Sequence, residues 1–187
     1  MPWVEKVTDN FNRADENPLG NGVWTTITGW NPMQVLTNAA RKTVEAALNG
    51  SYYSGGAAFL NNQYAQAVRN GEGFIGLLIR INGGNNGYML SVEDNTNVGY
   101  FYRIDAGVQT QLGASFAYNA VNGDTLRLEA IGSDISAYSN GVLLATRNDA
   151  TYASGRPGIH QYNNIAYLED FSAGEDVVAS RFAGFVS

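Results

Sequence analysis

The chain has 187 residues, of which 44% are hydrophobic and 15% are charged. Its formal net charge of −6 argues against nucleic acid as a partner, because phosphate binding requires a basic surface. The lack of cysteine excludes disulfides, thiol catalysis and cysteine-based metal sites. No apolar run reaches the ~20 residues of a membrane helix, so we predict no membrane insertion.

The first half of the chain is predicted to consist of short strands separated by polar turns. Short apolar or alternating segments predict strands at residues 23–30, 34–36, 43–48, 57–60 and 64–68. The longer stretch AARKTVEAALNG, which contains segment 43–48, could also form a short helix, and we favour the strand. The nearly continuous apolar run FIGLLIRI, from Phe74 to Ile81, predicts a central strand that is buried on both faces.

The second half alternates strands and turns with almost no helical pattern. YMLSVED and GYFYRID, which start at Tyr88 and Gly99, are predicted to form a hairpin. Asn140 and Gly141 close a further hairpin, because both residue types accept the positive φ of a type I′ turn. We therefore predict one domain over residues 1–174, followed by a tail at 175–187 that is a candidate docking segment.

Two stretches of the chain resemble a known superfamily. Gly123–Gly174 has the order strand, turn, strand, Asn-Gly hairpin, Asp-containing loop, G-R-P-G and final D-F strand. Asp9–Gly29, DNFNRADENPLGNGVWTTITG, is similar to a D-x-F-x-R…L-G…W start. Both resemble the concanavalin A-like lectin/glucanase superfamily, in its laminin-G-like bacterial or phage domains. The resemblance implies an all-β, two-sheet antiparallel jelly-roll sandwich. It gives little information about activity, because the matching residues are ones that determine the fold.

The sequence lacks the catalytic motif of the superfamily's enzymes. The glycan-hydrolysing branch carries E-x-D-x-x-E on one strand, and no glutamate here begins that pattern. A lyase needs a His or Tyr base and a charge-neutralising Arg. His160 and Tyr162, two residues apart, would share a strand face, but no other lyase element accompanies them. We therefore predict no enzyme, with a glycoside hydrolase or polysaccharide lyase as the alternative.

A structural calcium ion is a further possibility, since domains that this chain resembles often hold one near their paired terminal strands. Asp9 in D-N-F and Asp170 in E-D-F lie where such strands would begin and end. Carboxylate oxygens suit calcium. The alternative is that each aspartate caps a strand, because the chain has no D-x-D-x-D-G loop.

Glycan binding is the function that the remaining residues could support. It requires aromatic faces for sugar rings and amides or arginines for hydroxyls. The candidate carbohydrate-binding residues are Trp30, Arg80, Arg103, Arg127, Tyr138, His160 and Tyr162. The arginines would line an exposed sheet face, or alternatively be ordinary solvated residues. Tyr100 and Tyr102 share one strand face and Phe101 the other, and one of these faces must be core.

Both ends of the chain are rich in apolar residues. The candidate partner-docking residues are Trp3, Val177, Val178, Phe182 and Phe185. These either pack on their own sandwich or dock onto other subunits of a homo-oligomer or larger assembly. The opening MPWVEKVTD lacks a secretory signal, which favours a virion, released by lysis, over a secreted protein. We predict a decoration protein on a virion surface or in another extracellular assembly, with adhesion to a cell-surface glycan. The alternative is a stand-alone lectin-like module.

Overall fold

The chain folds into two antiparallel β-sheets, which the computed structural model describes over residues 3–20, 22–83 and 85–176. In chain order the strands of the described residues are β1 (Trp3–Asp9), β2 (Trp24–Thr26), β3 (Met33–Leu36), β4 (Ala39–Lys42), β5 (Asn49–Tyr53), β6 (Gln63–Asn70), β7 (Phe74–Ile81), β8 (Gly87–Glu93), β9 (Val98–Asp105), β10 (Val108–Gln111), β11 (Phe116–Ala117), β12 (Asp124–Ile131), β13 (Asp134–Ser139), β14 (Val142–Asn148), β15 (Arg156–Gln161) and β16 (Tyr167–Asp176). No helix among these residues has the length and hydropathy needed to cross a bilayer.

Each sheet combines strands from distant parts of the chain. Sheet A has the order β14-β13-β12-β6-β16-β4-β3, with β1 paired to the second half of β16. Sheet B has the order β10-β9-β8-β7-β15-β5-β2, with β11 paired to β9. The two sheets pack face to face, which confirms the predicted two-sheet antiparallel sandwich. β16 continues through Asp176, so the first two residues of the predicted tail are part of sheet A.

The main core lies between the sheets and follows the period-2 alternation of the strands. In β12, Leu126 and Leu128 point inward while Arg127 points outward. The prediction for β7 is also confirmed, because its apolar residues are buried on both faces. Those on the outer side belong to a second cluster beneath the loop after β2. That cluster consists of Ile27, Trp30, Leu78, Ile81, Met89 and Ile104. Part of the outer face of sheet B is therefore covered, and the rest is open.

The predicted strand at Thr43–Leu48 is wrong, and so is its helical alternative. The segment is a turn held by the side chain of Asn49, which is fully buried. The Asn49 Oδ1 accepts hydrogen bonds from the backbone of Thr43 (3.0 Å) and Val44 (3.0 Å). Its Nδ2 donates to the carbonyls of Val44 (2.8 Å) and Ala47 (2.7 Å). The side-chain amide of Asn49 thus supplies the hydrogen-bond partners that a neighbouring strand would otherwise provide to this backbone.

Two other predicted strands are shortened or absent. Ala57–Leu60 forms a loop, and its Leu60 N–H donates to the side chain of Glu175 (2.7 Å) rather than to a neighbouring strand. Segment 23–30 contributes only β2, because a turn follows in which the Trp30 N–H donates to the Ile27 carbonyl (3.0 Å). The strand prediction failed where backbone groups form hydrogen bonds with side chains or within a turn instead of with a neighbouring strand.

The N-terminal D-x-F-x-R…W pattern is an intramolecular network. The Asp9 Oδ1 accepts from the Phe11 N–H (2.9 Å) and the Arg13 Nη1 (2.6 Å). Its Oδ2 accepts from the Trp24 Nε1 (2.8 Å). Phe11 has a positive φ of 56° and packs its ring 6.0 Å from that of Trp24. The carboxylate therefore fixes a strained turn and joins it to the core.

Candidate functional site

An aromatic pocket opens on the outer face of sheet B. In β8, Leu90 and Val92 point into the core, so Met89 and Ser91 point outward. The pocket has a volume of about 290 Å³. It is lined by Leu48, Phe74, Met89, Ser91, Tyr102, Gln109, His160 and Tyr162. None of these eight side chains carries a formal charge when the histidine is neutral.

Four aromatic rings form an arc along the pocket. The ring of Tyr162 meets that of Phe74 edge-on at 6.2 Å, and Phe74 lies 6.3 Å from Tyr100. Tyr100 stacks on Tyr102 at 6.0 Å with an interplanar angle of 30°. Tyr162 follows β15 directly, and its N–H donates to the Phe74 carbonyl (2.9 Å), which positions it at the rim. Its side chain is partly open to solvent, with 38% of the residue exposed.

His160 lies at the floor of the aromatic pocket and is only 1% exposed. Its strand neighbours are glycines, Gly50 on one side and Gly76 on the other. A Cβ at Gly76 would lie 2.0 Å from the Leu90 carbonyl oxygen and 3.1 Å from the His160 Nε2, so the backbone of β8 leaves room only for glycine at this position. The His160 Nε2 donates to that carbonyl (2.9 Å). Since a carbonyl only accepts, Nε2 carries the proton and Nδ1 presents a lone pair.

The His160 Nδ1 has no hydrogen-bond partner in the described part of the chain. Burial lowers the pKa of His160 to about 4, and the hydrogen bond to Leu90 opposes this only partly. The imidazole is therefore neutral at physiological pH. Burial also raises the pKa of Tyr102, with smaller contributions from Tyr100 and Glu93, so this hydroxyl is neutral as well. The pocket offers uncharged polar groups.

Acid is expected to destabilise the protein through His160. The pKa is lower in the folded state than in the unfolded state, so the unfolded chain binds the proton more readily. The contribution of neutral His160 to the free energy of unfolding is fully present above the pKa of the unfolded state, and it falls as the pH drops toward the pKa of the folded state. Between about pH 7 and about pH 5 this group should cost about 2 kcal/mol of the free energy of unfolding.

Urea unfolding of the wild type and of His160→Gln at several pH values tests this expectation. Both proteins carry the same carboxylates, so the difference between their pH slopes isolates the histidine. Parallel slopes would show that His160 does not titrate as its burial requires.

Comparisons with known proteins place the fold. Carbohydrate binding module CBM66 from Bacillus subtilis superposes with a TM-score of 0.65 at 18% identity, over 81% of this chain and 95% of that chain. A protein of unknown function with a galectin-like fold from Bacillus subtilis superposes at 0.63 and 13% identity, over 93% and 98%. A prokaryotic β-1,3-1,4-glucanase (lichenase) from a mouse hindgut metagenome gives 0.56 and 10%, over 90% and 98%. The fold is a concanavalin A-like jelly roll.

No protein-family model and no curated protein matches this chain. At these identities the structural likeness establishes the concanavalin A-like fold and leaves the function to the site itself. Within this jelly roll, the aromatic pocket lies on the outer face of sheet B, where the consecutive strands β7 to β10 meet the distant strand β15.

The jelly roll brings three predicted glycan-binding residues to the outer face of sheet B. His160 and Tyr162 line the aromatic pocket together, as their spacing suggested. Trp30 lies beside them in the second apolar cluster, where its Nε1 donates to the Gly107 carbonyl (2.9 Å). Its ring packs against Gly50 and only 9% of the residue is exposed, so Trp30 offers little surface to a ligand.

Two other predicted residues lie on the opposite side of the jelly roll. Arg127 and Tyr138 are paired across β12 and β13 on the outer face of sheet A. The Arg127 guanidinium stacks 3.7 Å from the ring centroid of Tyr64 and 5.0 Å from that of Trp3. It also pairs with Glu129 (2.5 Å). Trp3, predicted as a docking residue, is thus packed against this cluster.

Arg80 and Arg103 serve structural networks. The predicted exposed position of Arg80 is wrong, because a positive φ of 55° near the end of β7 turns its side chain into the protein, where it is 1% exposed. Arg103 is half-buried at the other side of β9 from the pocket. It donates to Asp105 (3.0 Å) and Asp149 (3.2 Å), and these two carboxylates neutralise its charge.

The predicted calcium ligands are neighbours in the structure. β1 pairs with β16, and Asp9 and Asp170 line one surface cavity of about 370 Å³. Over residues 3–20, 22–83 and 85–176, no group of three or more His, Asp or Glu side chains is arranged to hold a metal ion. Calcium binding stays a prediction. The predicted docking residues Val177, Val178, Phe182 and Phe185 lie outside the described residues.

The main residues of the pocket that sequence reasoning missed are aromatic or polar side chains from β7 to β10. They are Phe74, Ser91, Tyr102 and Gln109, and Tyr100 lies beside them, stacked on Tyr102. One signal was available for the tyrosines. Burying Phe101 in the core leaves both neighbouring hydroxyls on the outer face, where water or a ligand can satisfy them.

Proposed function

We propose that this chain is a non-catalytic glycan-binding module whose binding site is the aromatic pocket. The observation that carries the proposal is the arc of rings from Tyr162 to Tyr102 beside an uncharged, polar floor. Aromatic faces pack against the apolar side of a pyranose ring. Ser91, Gln109 and the tyrosine hydroxyls can exchange hydrogen bonds with the sugar hydroxyls.

The proposed ligand of the aromatic pocket is a neutral sugar. Among the described residues, no carboxylate or cation lines it, so a charged ligand would lose its hydration without a partner. The 290 Å³ volume fits one or two sugar rings rather than a long chain. The open rim at Tyr162 gives the ligand a route in and leaves space for its continuation.

The proposal is tested by glycan-array screening followed by calorimetry on the glycan that binds. Tyr162→Ala should weaken binding about tenfold or more, since losing one aromatic contact of ~1.4 kcal/mol has that effect. Tyr138→Ala is the matched control, because Tyr138 lies on the outer face of sheet A. Equal losses in both variants, or none in Tyr162→Ala, would contradict this location of the site.

A glycoside hydrolase is the second candidate function, and the pocket chemistry disfavours it. Glycoside hydrolysis needs two carboxyl groups about 5–10 Å apart across the scissile bond. None of the eight described residues that line the aromatic pocket is an aspartate or glutamate. Glu93 is close enough to raise the pKa of Tyr102, but it is a single carboxylate. Release of reducing sugar from a bound glycan, abolished in Glu93→Gln, would revive the enzyme.

We further propose that the module belongs to an extracellular assembly such as a virion, where it would serve adhesion. The support is compositional, namely the apolar residues of the segment after Asp176. Light scattering of the full chain and of a chain ending at Asp176 tests this role. An oligomer that becomes monomeric on truncation supports assembly through the segment, whereas two identical monomers oppose it.

A further inference from the structure

A second pocket lies at the other end of sheet B and differs from the aromatic pocket in charge. Its volume is about 350 Å³. It is lined by Tyr52, Ser54, Ala58, Phe59, Ile81, Asn82, Gly83, Ser154, Gly155 and Arg156. In β15, Arg156 lies opposite Ile81 and His160 lies opposite Gly76. Arg156 and His160 are four positions apart along the strand, which corresponds to about 13 Å. We refer to the second one as the Arg156 pocket.

Within the described residues, the Arg156 guanidinium is held by carbonyl groups alone. Its Nη1 donates to the Gly55 carbonyl (3.1 Å) and its Nη2 to the Gly56 carbonyl (3.3 Å). It forms no ion pair with any carboxylate of the described residues, and no aspartate or glutamate lines its pocket. A guanidinium has five N–H donors, so further donors remain for a ligand. The two carbonyls orient the group without neutralising its charge.

The ion pair beside the Arg156 pocket leaves the charge of Arg156 unchanged. Lys6 lies beside the Arg156 pocket, with its Nζ 4.9 Å from the ring centroid of Phe59, but it is paired with Glu175 (3.1 Å). That carboxylate also accepts the Leu60 N–H. In a chain of net charge −6, a cavity that holds an unneutralised guanidinium and no acid attracts an anion locally. The planar fork suits carboxylate or sulfate oxygens.

We propose that the Arg156 pocket binds an acidic sugar, with Arg156 on its carboxylate or sulfate group. Tyr52 and Phe59 supply apolar walls for the sugar ring, and Ser54 and Ser154 supply hydroxyls for its polar edge. This site is separate from the aromatic pocket. It goes beyond the proposed function, because either pocket can bind without the other.

The test compares three oligosaccharides at low ionic strength: a uronic acid oligomer, a sulfated neutral oligomer and the uncharged parent of the latter. NMR titration of the ¹⁵N-labelled full chain should shift the Arg156 Nε–Hε signal and the Gly155 amide with one or both acidic probes. Arg156→Gln should weaken that binding tenfold or more. The control Arg41→Gln should leave binding unchanged. It is a matched control because Arg41 also donates to carbonyls, those of Leu36 and Ile165, and does not line the Arg156 pocket.

The outcomes separate the possible ligands and the two pockets. Binding of the uronic acid probe alone identifies a carboxylate site, and binding of the sulfated probe alone identifies a sulfate site. Tyr162→Ala should leave acidic binding unchanged, so this proposal can hold even if the aromatic pocket fails. Three results would overturn it: no shift at Arg156 with either probe, equal binding of the uncharged parent, or full displacement by equimolar inorganic sulfate. Arg156→Lys, which keeps the charge and loses the fork, serves as the second variant if Arg156→Gln does not fold.

Discussion

Replacing Arg80 by methionine is expected to lower the free energy of unfolding by about 4 kcal/mol. The Arg80 guanidinium is buried and donates to the carbonyls of Asn61 (2.7 and 3.1 Å), Gly132 (2.8 Å) and Tyr152 (3.1 Å). These carbonyls belong to three different loops. Methionine has a similar length but no donor, so all three loops would lose the hydrogen bonds that the buried guanidinium donates to them. Part of this loss is offset because burying the charged guanidinium is itself unfavourable, as its lowered pKa indicates, and methionine carries no charge.

Urea unfolding measures the effect of this substitution. Arg147→Met is the matched control, because Arg147 also donates to loop carbonyls, including that of Leu112 (3.0 Å), from a half-exposed position. Water can replace its bonds, so the control should lose about 1 kcal/mol or less. A loss in Arg80→Met as small as in the control would mean that the three loops are held by other contacts.

The architecture was predictable because strand periodicity and turn chemistry agree along most of the chain. β12 alternates apolar and charged residues, and Asn140 and Gly141 both adopt the positive φ that their hairpin requires. The segment at Thr43–Leu48 was not predictable in this way. Its conformation depends on hydrogen bonds from the side chain of Asn49, and Asn49 is itself held in β5 by its pairing with Gln161 of β15.

The candidate site was predictable only in part, for a related reason. The two-residue spacing of His160 and Tyr162 was enough to place both on one side of a strand. Their aromatic partner Phe74 comes from a strand whose neighbour in the sheet is set by long-range pairing. Arg80 departs from alternation because of its positive φ, which no residue type in that apolar run signals. Periodicity gives the faces of each strand, and tertiary pairing decides which residues meet.

Replacing Asp9 by alanine is expected to lower the free energy of unfolding by about 3 kcal/mol. The substitution removes one carboxylate that accepts from the Phe11 N–H, the Arg13 guanidinium and the Trp24 indole. The indole would be left as a buried donor without a partner, and Phe11 would lose the contact that holds its positive φ. Asp15→Ala is the control, because the exposed Asp15 accepts a single backbone bond, from Thr37 (2.8 Å).

Thermal unfolding of both variants, with calcium or with a chelator, also tests the predicted metal site at Asp9 and Asp170. Both Asp9 oxygens already accept protein donors, so calcium would have to displace Arg13 or share an oxygen with it. A calcium-dependent rise in the melting temperature that is present in Asp15→Ala and absent in Asp9→Ala would establish a metal role for Asp9. Equal melting temperatures with and without calcium in every variant would leave Asp9 as an intramolecular acceptor. The wild-type stability that it supplies would then come from its three hydrogen bonds alone.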